Sequence, residues 1–373
     1  MGKSNLIDIT PQILTWAREE MQIKANDVAF ELQINPETYN KWENSGKDIP
    51  FADLKILAKI FKRQLSCFFL PDVPKKSRRP TDHRNLNIFS SHLSYETSLA
   101  IRRVSRYKTL LGELNKQSYY SKKYQWLEYL RAEFPQARRI DNENIAEWIR
   151  NQMGFSIEDQ LKTNSPSDAY ILLRNLIEDK LGIPIFQFKM PIEEIQGFCY
   201  AEAMPYCIVV NSIHHAPTGK LFTLIHELGH VLKNQSSICY PEKVDKSENL
   251  ELECNSFAGS LLVPAKVVTF IDTCDGIYKK ARTLKISSEV YLRRMQTLKL
   301  IPDNLFFQLL GEIHSKVTKP VQGFAILTQV QKSINSRGRH LFNVVVEASK
   351  YNRISYSNAS DILGLKINHF INL

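Results

Sequence analysis

Paired cysteines are missing from this chain of 373 residues. Its six cysteines, Cys67, Cys199, Cys207, Cys239, Cys254 and Cys274, show no short paired spacing, so neither a zinc ribbon nor a disulfide framework is indicated. A reducing, cytoplasmic setting fits. Long apolar runs are missing too, and even the stretch 258–271 is broken by Pro264 and Lys266, which argues against a membrane span. The opening MGKSNLIDIT has no signal-peptide core, and Leu6 stands where a myristoylation motif needs Ser or Thr. There are no repeats, no low-complexity tracts and no acidic cluster of the kind a metal-dependent nuclease uses. What remains is a soluble protein long enough for two or three domains.

Charge is present but uneven. The chain carries a formal net charge of +10, and the stretch from Lys75 to Arg139, with 15 Lys or Arg against 5 Asp or Glu, holds an excess of the same size. Such a run is either a solvated helical surface or a phosphate-contacting one.

Chemistry is readable in one place, His226-Glu227-Leu228-Gly229-His230. On a helix His226 and His230 stand one turn apart on one face, a spacing that suits two imidazoles gripping one small cation. Glu227 lies beside the pair, poorly placed to be a ligand but able to take a proton from a water the ion activates, so it reads as the general base. Phe222, Leu224, Ile225, Leu228, Val231 and Leu232 make this a buried helix. A third ligand decides between a chance motif and a metal site, and the extended motif that would supply a third histidine is absent, with Lys233 and Ser236 at the next one-turn positions. Downstream, helical spacing aligns Glu251, Cys254, Asn255, Ala258 and Leu262 on one face. Glu251 is the third ligand this predicts. Glu253 projects from nearly the opposite side and reads as solvated, and Cys254 as a small buried residue.

The sequence FTLIHELGH followed by ExxCNxFAxxLLxP resembles the ImmA/IrrE family of metallopeptidases, whose pattern is HExxH and then E-x-x-A-N-x-F-A-x-x-L-L-x-P; Cys254 replaces the usual alanine. The resemblance implies zinc, Zn(2+), held by His226, His230 and Glu251, with Glu227 as base. It also implies a protein substrate, a repressor of the helix-turn-helix type or an antitoxin.

A second resemblance covers residues 9–70. Thr10-Pro11 opens a first helix with Ile13, Leu14, Ala17 and Met21 inward; Val28, Ala29 and Leu32 mark a second. Asn35-Pro36 opens a third with Tyr39 and Trp42 buried, and Phe51, Leu54, Leu57, Ala58 and Phe61 pack a fourth. The pattern looks like the XRE-type (Cro/repressor-like) helix-turn-helix fold. It implies a double-stranded DNA partner, with Glu37, Thr38, Asn40 and Lys41 of the third helix nearest the base edges. Two departures are Gln33, where the turn usually has glycine, and a second helix that begins without a phosphate-clamping glutamine. The other use of such a head is protein docking or dimerisation, so a homodimer is also an expected assembly.

Between and beyond these parts, residues 93–114 read as an amphipathic helix with Arg102, Arg103 and Arg106 outward, and Tyr119, Tyr120, Tyr124 and Trp126 as core rather than base-stacking residues. His83 occupies a position where phenylalanine is expected. Residues 183–188, 196–200 and 207–211 are short β-rich runs. Gly197, Phe198, Cys199 and Tyr200 are the expected exposed edge strand, able to bind substrate as an added strand. His214, His215 and Tyr240 are weak candidates for oxyanion stabilisation, with both histidines expected in solvent. YLRRM, within 288–300, is expected to pack against the peptidase rather than contact DNA.

The fold class expected is α+β and predominantly helical. It comprises an all-α helix-turn-helix head over 1–72, a basic helical linker region over 73–165, a gluzincin-like zinc peptidase domain with a small sheet over 166–270, and a helical C-terminal region over 271–373. The function expected is a zinc-dependent endopeptidase and transcriptional regulator that cleaves a repressor or antitoxin. The alternative is a non-proteolytic DNA-binding regulator whose peptidase fold senses or binds a partner.

Overall fold

The structure is a computed structural model and describes residues 5–21, 23–74, 93–115, 117–134, 142–214, 216–239, 249–315 and 327–371. His83, His215, Tyr240 and most of the Pro- and Lys-rich stretch after Asp72 lie outside the described residues. The described residues up to 74, with those from 93 to 103, form one compact unit, and those from 104 onward form a second.

In the first unit β1 (Leu6–Ile7) precedes α1 (Pro11–Glu20), α2 (Ala25–Leu32) and α3 (Pro36–Ser45); β2 (Ile49–Pro50) then pairs antiparallel with β1 ahead of α4 (Phe51–Ile60) and, further on, α5 (Tyr95–Leu114). Pro stands in the first turn of α1 and of α3, where its missing N–H costs nothing, and the Asn35 side chain caps α3 by accepting from the Glu37 amide at 2.9 Å. Ile13, Leu14, Ala17, Met21, Tyr39, Trp42, Leu54, Leu57 and Phe61 close one core, as the periodicity predicts. Gln33 takes the left-handed conformation at φ 57°. The turn therefore keeps its backbone shape without the usual glycine, at about 1–2 kcal/mol of local strain.

Arg102 departs from expectation. Its guanidinium donates to the carbonyls of Phe61 at 3.1 Å and Lys62 at 2.9 Å, a cation on the C-terminal end of α4. Arg103 and Arg106 are exposed as expected. An arginine whose stem can bury itself does not have to follow the polar stripe of its helix.

The second unit continues with α6 (Gln117–Lys123), α7 (Gln125–Glu133), α8 (Asn142–Met153), α9 (Ile157–Lys162) and α10 (Pro166–Leu176), which runs on into one wide turn at Ile177–Leu181. Tyr120, Tyr124 and Trp126 are core residues, and Tyr119 is partly exposed. A four-stranded sheet follows, built from β3 (Ile185–Phe188), β4 (Gly197–Tyr200), β5 (Cys207–Asn211) and, after α11 (Pro217–Leu232), β6 (Ser237–Cys239). The strand order is β3-β5-β4-β6, with β3 and β5 parallel and the other pairs antiparallel.

The edge expected at Gly197, Phe198, Cys199 and Tyr200 is therefore corrected. β4 has β5 on one side and β6 on the other, Gly197 opposite Cys239 and Cys199 opposite Ser237, and all four residues are buried. A three-residue strand such as β6 has no periodicity to announce it. At the other side of the sheet β3 is blocked. The Ile185 amide donates to Glu178 Oε1 at 3.2 Å and its carbonyl accepts from Arg174 Nη2 at 2.8 Å, so charged side chains satisfy an edge that could otherwise pair.

The remaining helices are α12 (Asn249–Leu262), α13 (Cys274–Leu284), α14 (Ser288–Thr297), α15 (Asp303–Ser315), α16 (Gln329–Arg337), α17 (Arg339–Lys350), α18 (Tyr356–Leu363) and α19 (Ile367–Ile371). Three buried side chains hold the C-terminal carbonyls of α12. Arg150 donates to Leu261 O at 2.7 Å, Gln160 to Leu262 O at 2.9 Å and Arg294 to Val263 O at 3.0 Å. In YLRRM, Tyr291, Leu292, Arg294 and Met295 are buried, so it is a packing element as expected. The same Arg174–Glu178 pair anchors the tail. Arg174 donates to Asn335 O at 2.9 Å, near the C-terminal end of α16, while Glu178 Oε2 accepts from the Arg339 amide at 3.1 Å at the start of α17. Cation meets carbonyl end and carboxylate meets amide end, each matched to its helix dipole.

Candidate metal centre

Helix α11 starts at Pro217 and is buried on nearly every side from Leu221 to Leu232, the condition of a central core helix. Helix α12 lies against it closely because the contact residue on α11 is Gly229. A Cβ there would stand 3.2 Å from Phe257 Cδ1 and 3.3 Å from Cys254 Sγ. Cys254 is thus a packing residue facing a glycine, as its small apolar character predicts.

This close approach brings three side chains together. His226 Nε2 and His230 Nε2 are 3.1 Å apart, and Glu251 places Oε2 at 3.3 Å from the first and Oε1 at 3.4 Å from the second. Donor atoms about 2.0–2.1 Å from a tetrahedral ion stand roughly 3.3 Å from one another, so the spacing suits one small cation. The three residues form a group able to hold a metal ion. A closed structural site would ask for a fourth protein donor, and this trio offers three.

The electrostatics agree with a paired cluster. Burial alone would raise the Glu251 pKa, but hydrogen bonds from His226 and His230 and their charges drive it well below the usual carboxylate range. Burial likewise opposes charging His226, yet bonding to and the charge of Glu251, the charge of Glu227 and the contact with Asn255 outweigh it and raise its pKa. His226 Nδ1 lies 2.9 Å from Asn255 Oδ1. Glu227, fully buried, sits on the neighbouring face of α11 with Thr223 one turn before it, and β4 crosses that face at Gly197.

Two minor expectations change. Glu253 is not simply solvated; its Oε2 accepts from Lys233 Nζ at 2.7 Å. His214 is half-buried rather than in solvent, its Nε2 3.2 Å from Thr223 Oγ1. Sequence reasoning placed Asn255 on the Glu251 face but gave it no task. In the head, Glu37, Thr38, Asn40 and Lys41 are all exposed on α3 while Tyr39 and Trp42 face the core.

The fold and site therefore join a helix-turn-helix head to a hydrolase-like domain built around a helix pair able to hold a metal. Comparison with known families gives the same two parts. Residues 178–295 match the M78 peptidase family model described as the IrrE N-terminal-like domain, and residues 14–66 match a helix-turn-helix model. The chain carries an ImmA/IrrE-type peptidase domain and an XRE-type helix-turn-helix head. No curated protein and no solved structure matches it. The helix-turn-helix match supports DNA binding, and among the described residues no helix is long and apolar enough to cross a membrane.

Proposed function

We propose that the chain is a cytoplasmic zinc endopeptidase and transcriptional regulator that cuts a helix-turn-helix repressor or antitoxin. The convergence of His226, His230 and Glu251 within 3.1–3.4 Å, beside Glu227, carries this reading. Two neutral imidazoles and one carboxylate are the donor set that zinc takes in hydrolases. Zinc held there supplies the Lewis acidity that polarises a peptide carbonyl and acidifies a water. Glu227 takes the proton from the attacking water and delivers it to the leaving amine nitrogen, so one carboxylate serves as base and then as acid. Asn255 holds His226 from behind, and the apolar packing around α11 keeps bulk water from competing.

An added substrate strand has one lane among the described residues. β3 is blocked by Arg174 and Glu178, and β4 is internal, which leaves the outer side of β6. For the head, Thr38, Asn40 and Lys41 reach base edges of double-stranded DNA while Glu37 selects against a close phosphate, and a homodimer would present two such helices to a paired site.

One observation favours a second reading. Glu227 and His230 are 0% exposed, as a sensing or scaffold site would have them, so a non-proteolytic regulator is the competing account. Comparing protein N-termini in cells expressing wild type or Glu227→Gln separates the two. The peptidase reading predicts new N-termini inside a helix-turn-helix protein with wild type alone; identical sets from both chains would leave the regulator.

A further inference from the structure

We propose that Asn255 is the positioning residue of this centre, selecting the tautomer of His226 that turns a lone pair rather than a proton toward His230 and Glu251. The inference rests on the metal-centre reading above and assigns a task to a residue outside the ligand trio. A neutral imidazole has one N–H and one bare nitrogen. The amide oxygen of Asn255 accepts only, and it lies 2.9 Å from His226 Nδ1, so the proton belongs on Nδ1. Nε2 is then bare, and Nε2 is the atom 3.1 Å from His230 Nε2 and 3.3 Å from Glu251 Oε2.

The opposite tautomer would set two acceptors face to face in a buried contact, a penalty of about 1–3 kcal/mol, or roughly 10- to 100-fold in the fraction of histidine ready to bind. The ring has little freedom to escape. Asn255 stands one turn beyond Glu251 on α12, and α12 is pinned to α11 through Gly229, Cys254 and Phe257. On α11 itself the Phe222 ring stands one turn before His226, its centroid 6.3 Å from that of the imidazole. One helix face therefore supplies a carboxylate and sets the orientation of the histidine it meets, an arrangement that raises metal affinity through the partner of the ligand.

The test uses the full chain stripped of metal and labelled with nitrogen-15 in histidine. Long-range proton–nitrogen spectra at alkaline pH, with His226 assigned by its loss in His226→Gln, should show Nδ1 protonated and Nε2 bare. Zinc titration against a chromophoric chelator should show Asn255→Ala binding about 10- to 100-fold more weakly. Asn255→Asp, which keeps an acceptor in place, should return to within a few-fold of wild type. A protonated Nε2 in the wild type, or unchanged zinc affinity in a folded Asn255→Ala, overturns the proposal. Should Asn255→Ala not fold, the wild-type spectrum and the Asp variant still decide. Absence of zinc binding by wild type would sink the metal reading instead, and the spectrum would continue to judge the tautomer.

Discussion

Gly197 and Glu227 meet without an intervening side chain: a Cβ on Gly197 would stand 3.0 Å from Glu227 Oε1, 2.8 Å from Thr223 Cγ2 and 2.9 Å from Val209 O. The backbone of β4 thus rests directly on the face of α11 that carries the proposed base. Gly197→Ala should crowd Glu227 out of its rotamer and cost about 1–3 kcal/mol of stability. Zinc content should stay at the wild-type level while peptidase activity falls at least ten-fold. Metal analysis beside a cleavage assay reads both, and parallel loss of metal and activity would mean that Gly197 supports the ligands rather than the base.

Glu227→Gln keeps the volume and removes the proton acceptor. Activity should fall by about 10²–10⁴-fold with metal content unchanged. Retained cleavage would move the base elsewhere.

His340 gives a pH dependence. Burial, then the nearby charge of Lys123, lowers its pKa from 6.5 to about 4. Between those values the unfolded chain binds the proton and the folded chain does not, so stability rises with pH across that window and is lost as pH falls from 6.5 toward 4. The full effect is about 2–3 kcal/mol. His340→Phe should flatten the acid side of the melting-temperature profile, and an unchanged slope in that variant would assign the acid sensitivity to other groups.

Arg174 serves α16 and the β3 edge together. Arg174→Ala leaves Glu178 buried without its cation and should cost about 3–5 kcal/mol, read by urea unfolding. A loss under 1 kcal/mol, the scale of an exposed ion pair, would show that the pair is dispensable.

Gln33→Gly relieves the left-handed strain in the turn of the head. The variant should gain about 0.5–1 kcal/mol, measured by denaturation of the full chain while following the head's Trp16 and Trp42. A loss of stability would show that the Gln33 side chain contributes more than its backbone costs.

Much of this was legible from spacing. The one-turn separation of His226 and His230 and the helical alignment of Glu251 belong to local geometry, and so do the inward faces of α1–α4; all are written in 3.6-residue periodicity. What stayed hidden depends on distant partners. β6 is three residues long and exists through its pairing with β4, so the edge assigned to Gly197–Tyr200 could not be tested by pattern. Arg102 and Arg174 look like surface charges until the carbonyls they serve are in place. Asn255 lay within the motif, but its contact with His226 Nδ1 needs two packed helices.

Metal content by mass spectrometry on purified wild type, His226→Ala and Glu251→Ala tests the central claim most directly. The account predicts about one zinc per wild-type chain and loss of zinc in both variants. A wild type that stays metal-free after reconstitution with zinc would contradict it.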